Sequence, residues 1–97
     1  MIRSFRNQPT EDVYNGVHSK KAWKVLPPDL WGIAFRKLDQ LNRVTQLDEL
    51  KAPPGNRLEA LRGDRKGQHS IRINDQYRIC FELADDGAHN VEITDYH

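Results

Sequence analysis

Apolar and polar side chains alternate through much of residues 70–96, and the polar set contains the groups capable of chemistry. If Ile71, Ile73, Tyr77, Ile79, Phe81, Val91 and Ile93 point one way, then Arg72, Arg78, Glu92, Thr94 and Tyr96 point the other. Glu59 joins that second face if Leu58 and Ala60 point inward, with a bulge or strand end near Leu61, where the alternation breaks. Beside it lies a glycine-bounded basic loop, Arg62-Gly63-Asp64-Arg65-Lys66-Gly67, and His97 is the last residue.

Arginines, a tyrosine, a carboxylate and a histidine on one open face suit a phosphodiester. Guanidinium forks bind phosphate oxygens bidentately and stabilise the added charge of a pentacoordinate transition state, while histidine and carboxylate groups move protons. RNA carries its own nucleophile. A base that removes the 2′-hydroxyl proton and an acid that protonates the leaving 5′-oxygen are sufficient, so this chemistry requires no metal or other cofactor.

The overall charge looks unfavourable to such a partner, since 15 basic and 14 acidic side chains sum to only +1. The sum conceals a gradient. Residues 1–56 carry +3, residues 57–78 carry +3, and residues 79–97 carry −5 with no Lys or Arg. The single cysteine, Cys80, excludes an intramolecular disulfide framework and a multi-cysteine zinc site, and fits a reducing compartment. Its position in a strand marks it as a packing side chain. His18, His69 and His89 have no ligand spacing between them. No apolar run spans a bilayer and no basic-then-apolar leader opens the sequence, so the expectation is a cytoplasmic protein without a membrane partner.

These groups need a scaffold, and 97 residues suffice for one domain, expected over residues 1–97. Leu, Ile, Val and Phe number 23 of them, above the roughly 20% below which charged chains tend to stay unfolded. Ile2–Phe5 reads as a short strand, and Thr10 is the expected cap of a short helix after Pro9. Residues 15–28 show no sustained period and read as an irregular basic segment. Asp29 is the expected cap of a long helix over 29–44, whose stripe of Leu30, Ile33, Ala34, Leu38, Leu41 and Val44 should face a sheet. Trp31 and Phe35 flank that stripe and are read as core. Strands follow, separated by short turns at 74–76 and 84–88. Helices first and strands afterwards define an α+β domain, with helices packed on a C-terminal antiparallel sheet.

Taken singly, an exposed strand arginine is usually an ion-pair partner or a solvated charge. Three motifs in order say more. Residues 53–67 (Pro53-Pro54-Gly55-Asn56-Arg57 through Lys66-Gly67), residues 70–81 (Ser70-Ile71-Arg72-Ile73-Asn74-Asp75-Gln76-Tyr77-Arg78-Ile79-Cys80-Phe81) and Asp95-Tyr96-His97 resemble the HigB toxins of the RelE superfamily.

The resemblance implies a type II toxin–antitoxin system, whose toxin is an endoribonuclease that cuts messenger RNA in the ribosomal A site. It also implies a helix-turn-helix antitoxin of the HigA type, with operator DNA bound only through the antitoxin complex. By position, Arg78 matches the family's phosphate-stabilising arginine, Tyr96 and His97 its terminal aromatic and acid/base residues, with Asp95 beside them, and Arg62 a second phosphate contact. Arg65, Lys66 and Arg72 complete the expected RNA-binding set. Two departures stand out: Glu59 occupies a place where some members have histidine, and Tyr77 one where tryptophan often precedes the arginine. The proton-transfer roles are therefore open between Glu59 and His97. ParE-type toxins share the fold but poison DNA gyrase, and a non-catalytic RNA-binding module is a third class; the Asp95-Tyr96-His97 ending favours the nuclease.

Overall fold

A computed structural model describes residues 1–95, so Tyr96 and His97 lie outside the described residues. Three α-helices come first: α1 (Gln8–Asn15), α2 (Lys20–Val25) and α3 (Trp31–Arg43). Four strands follow, β1 (Glu59–Ala60), β2 (His69–Arg72), β3 (Tyr77–Ala84) and β4 (Gly87–Asp95), forming an antiparallel sheet in the order β1-β2-β3-β4. This is the expected α+β arrangement.

The helix starts differ from expectation in ways that side-chain chemistry explains. Asn7, not Thr10, caps α1, its Oδ1 accepting the Thr10 N–H at 3.0 Å. Thr10 is fully buried instead, and its hydroxyl oxygen accepts the Ile93 N–H at 3.1 Å, tying α1 to β4. Residues 15–28 are not irregular throughout, because Ser19 caps α2 by accepting the Ala22 N–H at 3.1 Å. Six residues are too few to show a period, so a helix of this length is stabilised by its cap and by packing Ala22 and Leu26 into the core. Asp29 does not cap α3; it lies in a 3-10 turn, Pro28–Leu30, that leads into the helix from Leu30 without a side-chain cap.

The core lies between the helices and one face of the sheet. Leu38 and Leu41 of α3, Leu26, Ile71, Ile79, Phe81 and Val91 are each fully buried there. Trp31 is core as expected, its indole N–H donating to the Leu26 carbonyl at 2.9 Å. Phe35 is not: it is 46% exposed and stacks on Tyr14 at a centroid distance of 5.6 Å. Ala60 is exposed too, and only Leu58 of that pair packs against the core.

The N-terminal segment is not a strand of the sheet. Ile2 and Phe5 make isolated parallel bridges to Ala88 and Val91 of β4. Contact there is close: a Cβ at Gly87 would stand 2.0 Å from the Met1 carbonyl oxygen. A register shift between β3 and β4 beyond Cys80 accompanies Asn90, which has φ 54 and donates its N–H to Ser4 Oγ at 2.8 Å. This bulge lets Ala88 and Val91, three residues apart, both be buried.

Candidate functional site

The sheet face away from the helices carries Arg72, Arg78, Glu92 and Thr94, as alternation requires. Register joins them into one array: Arg72 is directly opposite Arg78, Arg78 opposite Thr94, Cys80 opposite both Ser70 and Glu92, and Ser70 opposite Glu59. Ser70 and Cys80 are short and buried, and the longer side chains around them border a concave region of this face. A cavity of about 400 Å³ opens on it, lined by Leu61, Arg65, Arg78, Glu92, Thr94 and Asp95 among others, with Asn7 and Val25 contributing from the helical side.

Arg78 is the anchor of the face. Its side chain is only 12% exposed, and Nη1 lies 3.4 Å from Glu59 Oε1 and 3.3 Å from Ser70 Oγ, so it reaches across β2 to β1. Glu59 is half exposed, so solvent or a ligand reaches the same carboxylate that Arg78 touches. Asp95 is placed differently. It pairs across the strands with Tyr77, and its Oδ2 accepts the Gln76 side-chain amide at 3.1 Å, while it also borders the cavity.

The predicted RNA-binding set divides. Arg65 belongs to the cavity, with Nη1 3.0 Å from both Gln68 Oε1 and Glu92 Oε1. Arg62 lines a neighbouring depression with Glu59, Ala60 and Leu61, and Lys66 is exposed just after the 3-10 turn Gly63–Arg65. Arg72 is on the expected face but folds back on its own turn, donating to the Asn74 carbonyl at 3.0 Å and pairing with Asp75. Placing two arginines directly opposite one another is unfavourable by itself, and the Asp75 and Glu59 partners offset that repulsion from either end. Tyr96 and His97 fall outside the described residues.

Alternation did not single out Arg6 or the centrality of Glu92. The Arg6 N–H donates to the Val91 carbonyl at 2.9 Å, and this brings its guanidinium to within 3.7 Å of the same Glu92 oxygen that Arg65 uses. No local pattern in residues 1–7 signals that contact, which spans 86 positions of the chain.

The remaining reactive side chains have structural surroundings. Cys80 is buried with its Sγ 3.4 Å from Thr94 Oγ1, His18 stacks on Trp31 at 4.1 Å, and His89 contacts Asp86 at 2.7 Å. That imidazole contact holds the Asp86 carboxyl below its ordinary value. Among the described residues no cluster of three or more His, Cys, Asp or Glu could hold a metal ion, and no helix is long and apolar enough to cross a membrane.

The whole chain superposes on 98% of a chain in the YoeB–YefM complex from Staphylococcus aureus, with a TM-score of 0.62 at 15% identity, so the two share a fold. Residues 3–97 match the family model of the RelE-like toxin of the type II toxin–antitoxin system HigB. Toxin HigB-1 of Vibrio cholerae is 37% identical over 90 residues, covering 93% of this chain and 92% of that protein. An uncharacterized protein of Haemophilus influenzae is 32% identical over 78 residues, covering 80% of this chain and 72% of its own. The chain belongs to the HigB family of RelE-like type II toxins.

Proposed function

We propose that this toxin is a ribosome-dependent endoribonuclease that inhibits translation by cutting messenger RNA in the A site, with residues 1–97 acting as one unit. The observation that carries the reading is the Arg78–Glu59 contact on the concave face. It sets a cation suited to the phosphorus beside a carboxylate suited to the adjacent hydroxyl.

In the proposed reaction a base takes the proton of the 2′-hydroxyl, and the 2′-oxygen forms a bond to the adjacent phosphorus. The bond from phosphorus to the 5′-oxygen breaks, and an acid delivers a proton to that oxygen. The products are a 2′,3′-cyclic phosphate and a free 5′-hydroxyl. Arg78 stabilises the extra negative charge on the phosphorane, His97 serves one proton transfer, and Glu59 serves the other. Glu59 is preferred to Asp95 because it touches Arg78, whereas the Asp95 carboxylate is engaged by Gln76. Tyr96 is the proposed aromatic residue of the catalytic set, Arg62, Arg65 and Lys66 hold the strand, and Arg72 joins them on exchanging its Asp75 contact for a phosphate.

A near-neutral chain of net charge +1 binds free RNA weakly, which fits an enzyme that depends on the ribosome to present its substrate. The family places the toxin in a type II system, and its proposed inhibitor is a HigA-type helix-turn-helix antitoxin, through which alone the complex reaches operator DNA. The site of action is then the cytoplasm. Sequencing message ends after toxin expression tests the reading: new 5′ ends within codons, with cyclic phosphate upstream, are expected. DNA breaks with intact messages would replace it with gyrase poisoning, and RNA binding without any cleaved product would leave a binding module.

A further inference from the structure

We propose that Arg6 and Arg65, held on one carboxylate oxygen of Glu92, form a second phosphate position for a single RNA strand, adjoining the Arg78 position along the concave face. The inference rests on the RNA-directed reading above and adds a residue from the far N-terminus to the strand-binding set.

The geometry is specific. Glu92 Oε1 lies 3.0 Å from Arg65 Nη1 and 3.7 Å from Arg6 Nε, so a single oxygen gathers two guanidiniums from segments 59 residues apart. Glu92 is largely buried, its side chain 16% exposed, whereas Arg6 is 55% and Arg65 37% exposed. The carboxylate is thus the fixed member, and the two cations stand at the surface around it with a net charge of +1. Among the described residues, the Arg6 side chain contacts Glu92 through Nε, and both Arg65 side-chain hydrogen bonds use Nη1. A guanidinium has five N–H donors in a fork matched to phosphate oxygens, so each retains donors for a second anion.

Position supports a strand rather than an isolated ion. Arg65, Glu92 and Arg78 border one cavity of about 400 Å³, and Asn7, next to Arg6, borders it from the other side of β4. A strand whose scissile phosphate sits at Arg78 therefore meets Arg65 and Arg6 at the neighbouring linkage. The N-terminal segment is held for this task by the backbone bond from Arg6 to Val91.

The test is a titration of isotope-labelled full-length toxin with a short 2′-O-methyl RNA, which cannot be cleaved, following the side-chain N–H signals of Arg6, Arg65 and Arg78 at several salt concentrations. All three signals are expected to move together. Arg6→Ala should weaken binding several-fold and lower the slope of log affinity against log salt by about 0.7, the value for one phosphate contact on a single strand. Arg6→Lys should keep that slope. Arg3→Ala removes the same charge at a side chain that donates to the Asp86 carbonyl, away from Glu92, and should leave the slope unchanged. An unmoved Arg6 signal, an unchanged slope in Arg6→Ala, or no binding of the RNA by the wild type overturns the inference. So does binding of a polyglutamate peptide at these signals when RNA does not bind, which would point to an acidic protein partner. The reading of the toxin as a nuclease fails separately, through absence of cleaved ends with the rim still binding RNA.

Discussion

Glu59 and Arg78 meet across the width of three strands, with Nη1 3.4 Å from Oε1 above the buried Ser70 hydroxyl. Neither residue neighbours the other in sequence or in strand pairing. Their contact exists because Glu59 pairs with Ser70 and Ser70 with Cys80, which sets the short first strand within reach of an arginine two residues away on the third. The arginine is largely buried and its carboxylate partner half exposed, so the pair is open to solvent from the Glu59 side only. Its importance lies in what it places beside a phosphodiester.

Arg78→Ala should therefore lower cleavage by programmed ribosomes about 10²–10³-fold, the usual effect of deleting a transition-state donor. The melting temperature should fall without loss of the fold, because the variant gives up the Glu59 ion pair and the hydrogen bond to the buried Ser70 hydroxyl but no apolar core side chain. Single-turnover rates together with thermal denaturation check both halves, and full activity in the variant would remove Arg78 from the reaction.

The two candidate carboxylates are separable by charge-neutral substitution. Glu59→Gln should reduce the rate by about 10²–10⁴-fold if Glu59 moves a proton, while Asp95→Asn should have a much smaller effect. His97→Ala should fall as steeply as Glu59→Gln. Measuring all three on one programmed ribosome decides the assignment, and the reverse order for Glu59 and Asp95 would transfer the role to Asp95.

Asn56 should be a stability determinant remote from the chemistry. It is fully buried, its amide nitrogen donating to Gln40 Oε1 at 3.0 Å and to the Leu50 and Ala52 carbonyls at 3.2 Å each, while its oxygen accepts from Lys37. Burial already pushes the Lys37 ammonium down in pKa. Asn56→Ala leaves these carbonyls and the ammonium without their shared partner, and should cost about 2–3 kcal/mol. Urea denaturation gives the value; a loss below measurement error would show that water replaces the amide.

Gly87→Ala should loosen the N-terminus. Its backbone has φ 133, and the added methyl would stand 2.0 Å from the Met1 carbonyl oxygen, which accepts the Ala88 N–H. Backbone cannot move aside as a flexible side chain does, so a loss of at least about 2 kcal/mol is expected. Faster amide exchange at Arg3, Ala88 and Val91 should accompany it, and unchanged protection would refute the close approach.

Acid should weaken the junction of α1 and α2. The Gln8 and Ser19 side chains donate to the Asp12 carboxylate and lower its pKa from the ordinary 3.8. A carboxyl whose folded pKa is depressed contributes stability that is present above its unfolded value and is lost as pH falls through the folded one. Protection of the α2 amides should accordingly drop below pH 3.8, and Asp12→Asn should abolish that dependence. A variant that retains the same acid transition would assign it to another group.

Much of the architecture was legible in local pattern. Alternation put Arg72, Arg78, Glu92 and Thr94 on one sheet face, and the three- and four-residue spacing of Ala34, Leu38 and Leu41 identified the buried side of α3. Caps were less legible. Asn7 and Thr10 are both capping types three residues apart, and the choice between them depends on the Ile93 N–H, which needs the Thr10 hydroxyl in the core. The six residues of α2 lie below the length at which helical period is visible. Phe35 was read inward because large aromatics usually pack, yet its ring rests on Tyr14 at the surface.

By itself, the sequence determined the long third helix, the C-terminal strands after it, the two faces of their sheet and the family motifs, because each depends on residues a few positions apart. Only the tertiary structure decided which charges meet: Glu59 with Arg78, Arg6 and Arg65 with Glu92, and Arg72 with its own turn rather than the cavity. Strand pairing and the N-terminal bridges to β4 set those meetings. Long side chains settle on the nearest counter-charge that the backbone brings within about 4 Å, and no local periodicity encodes that distance.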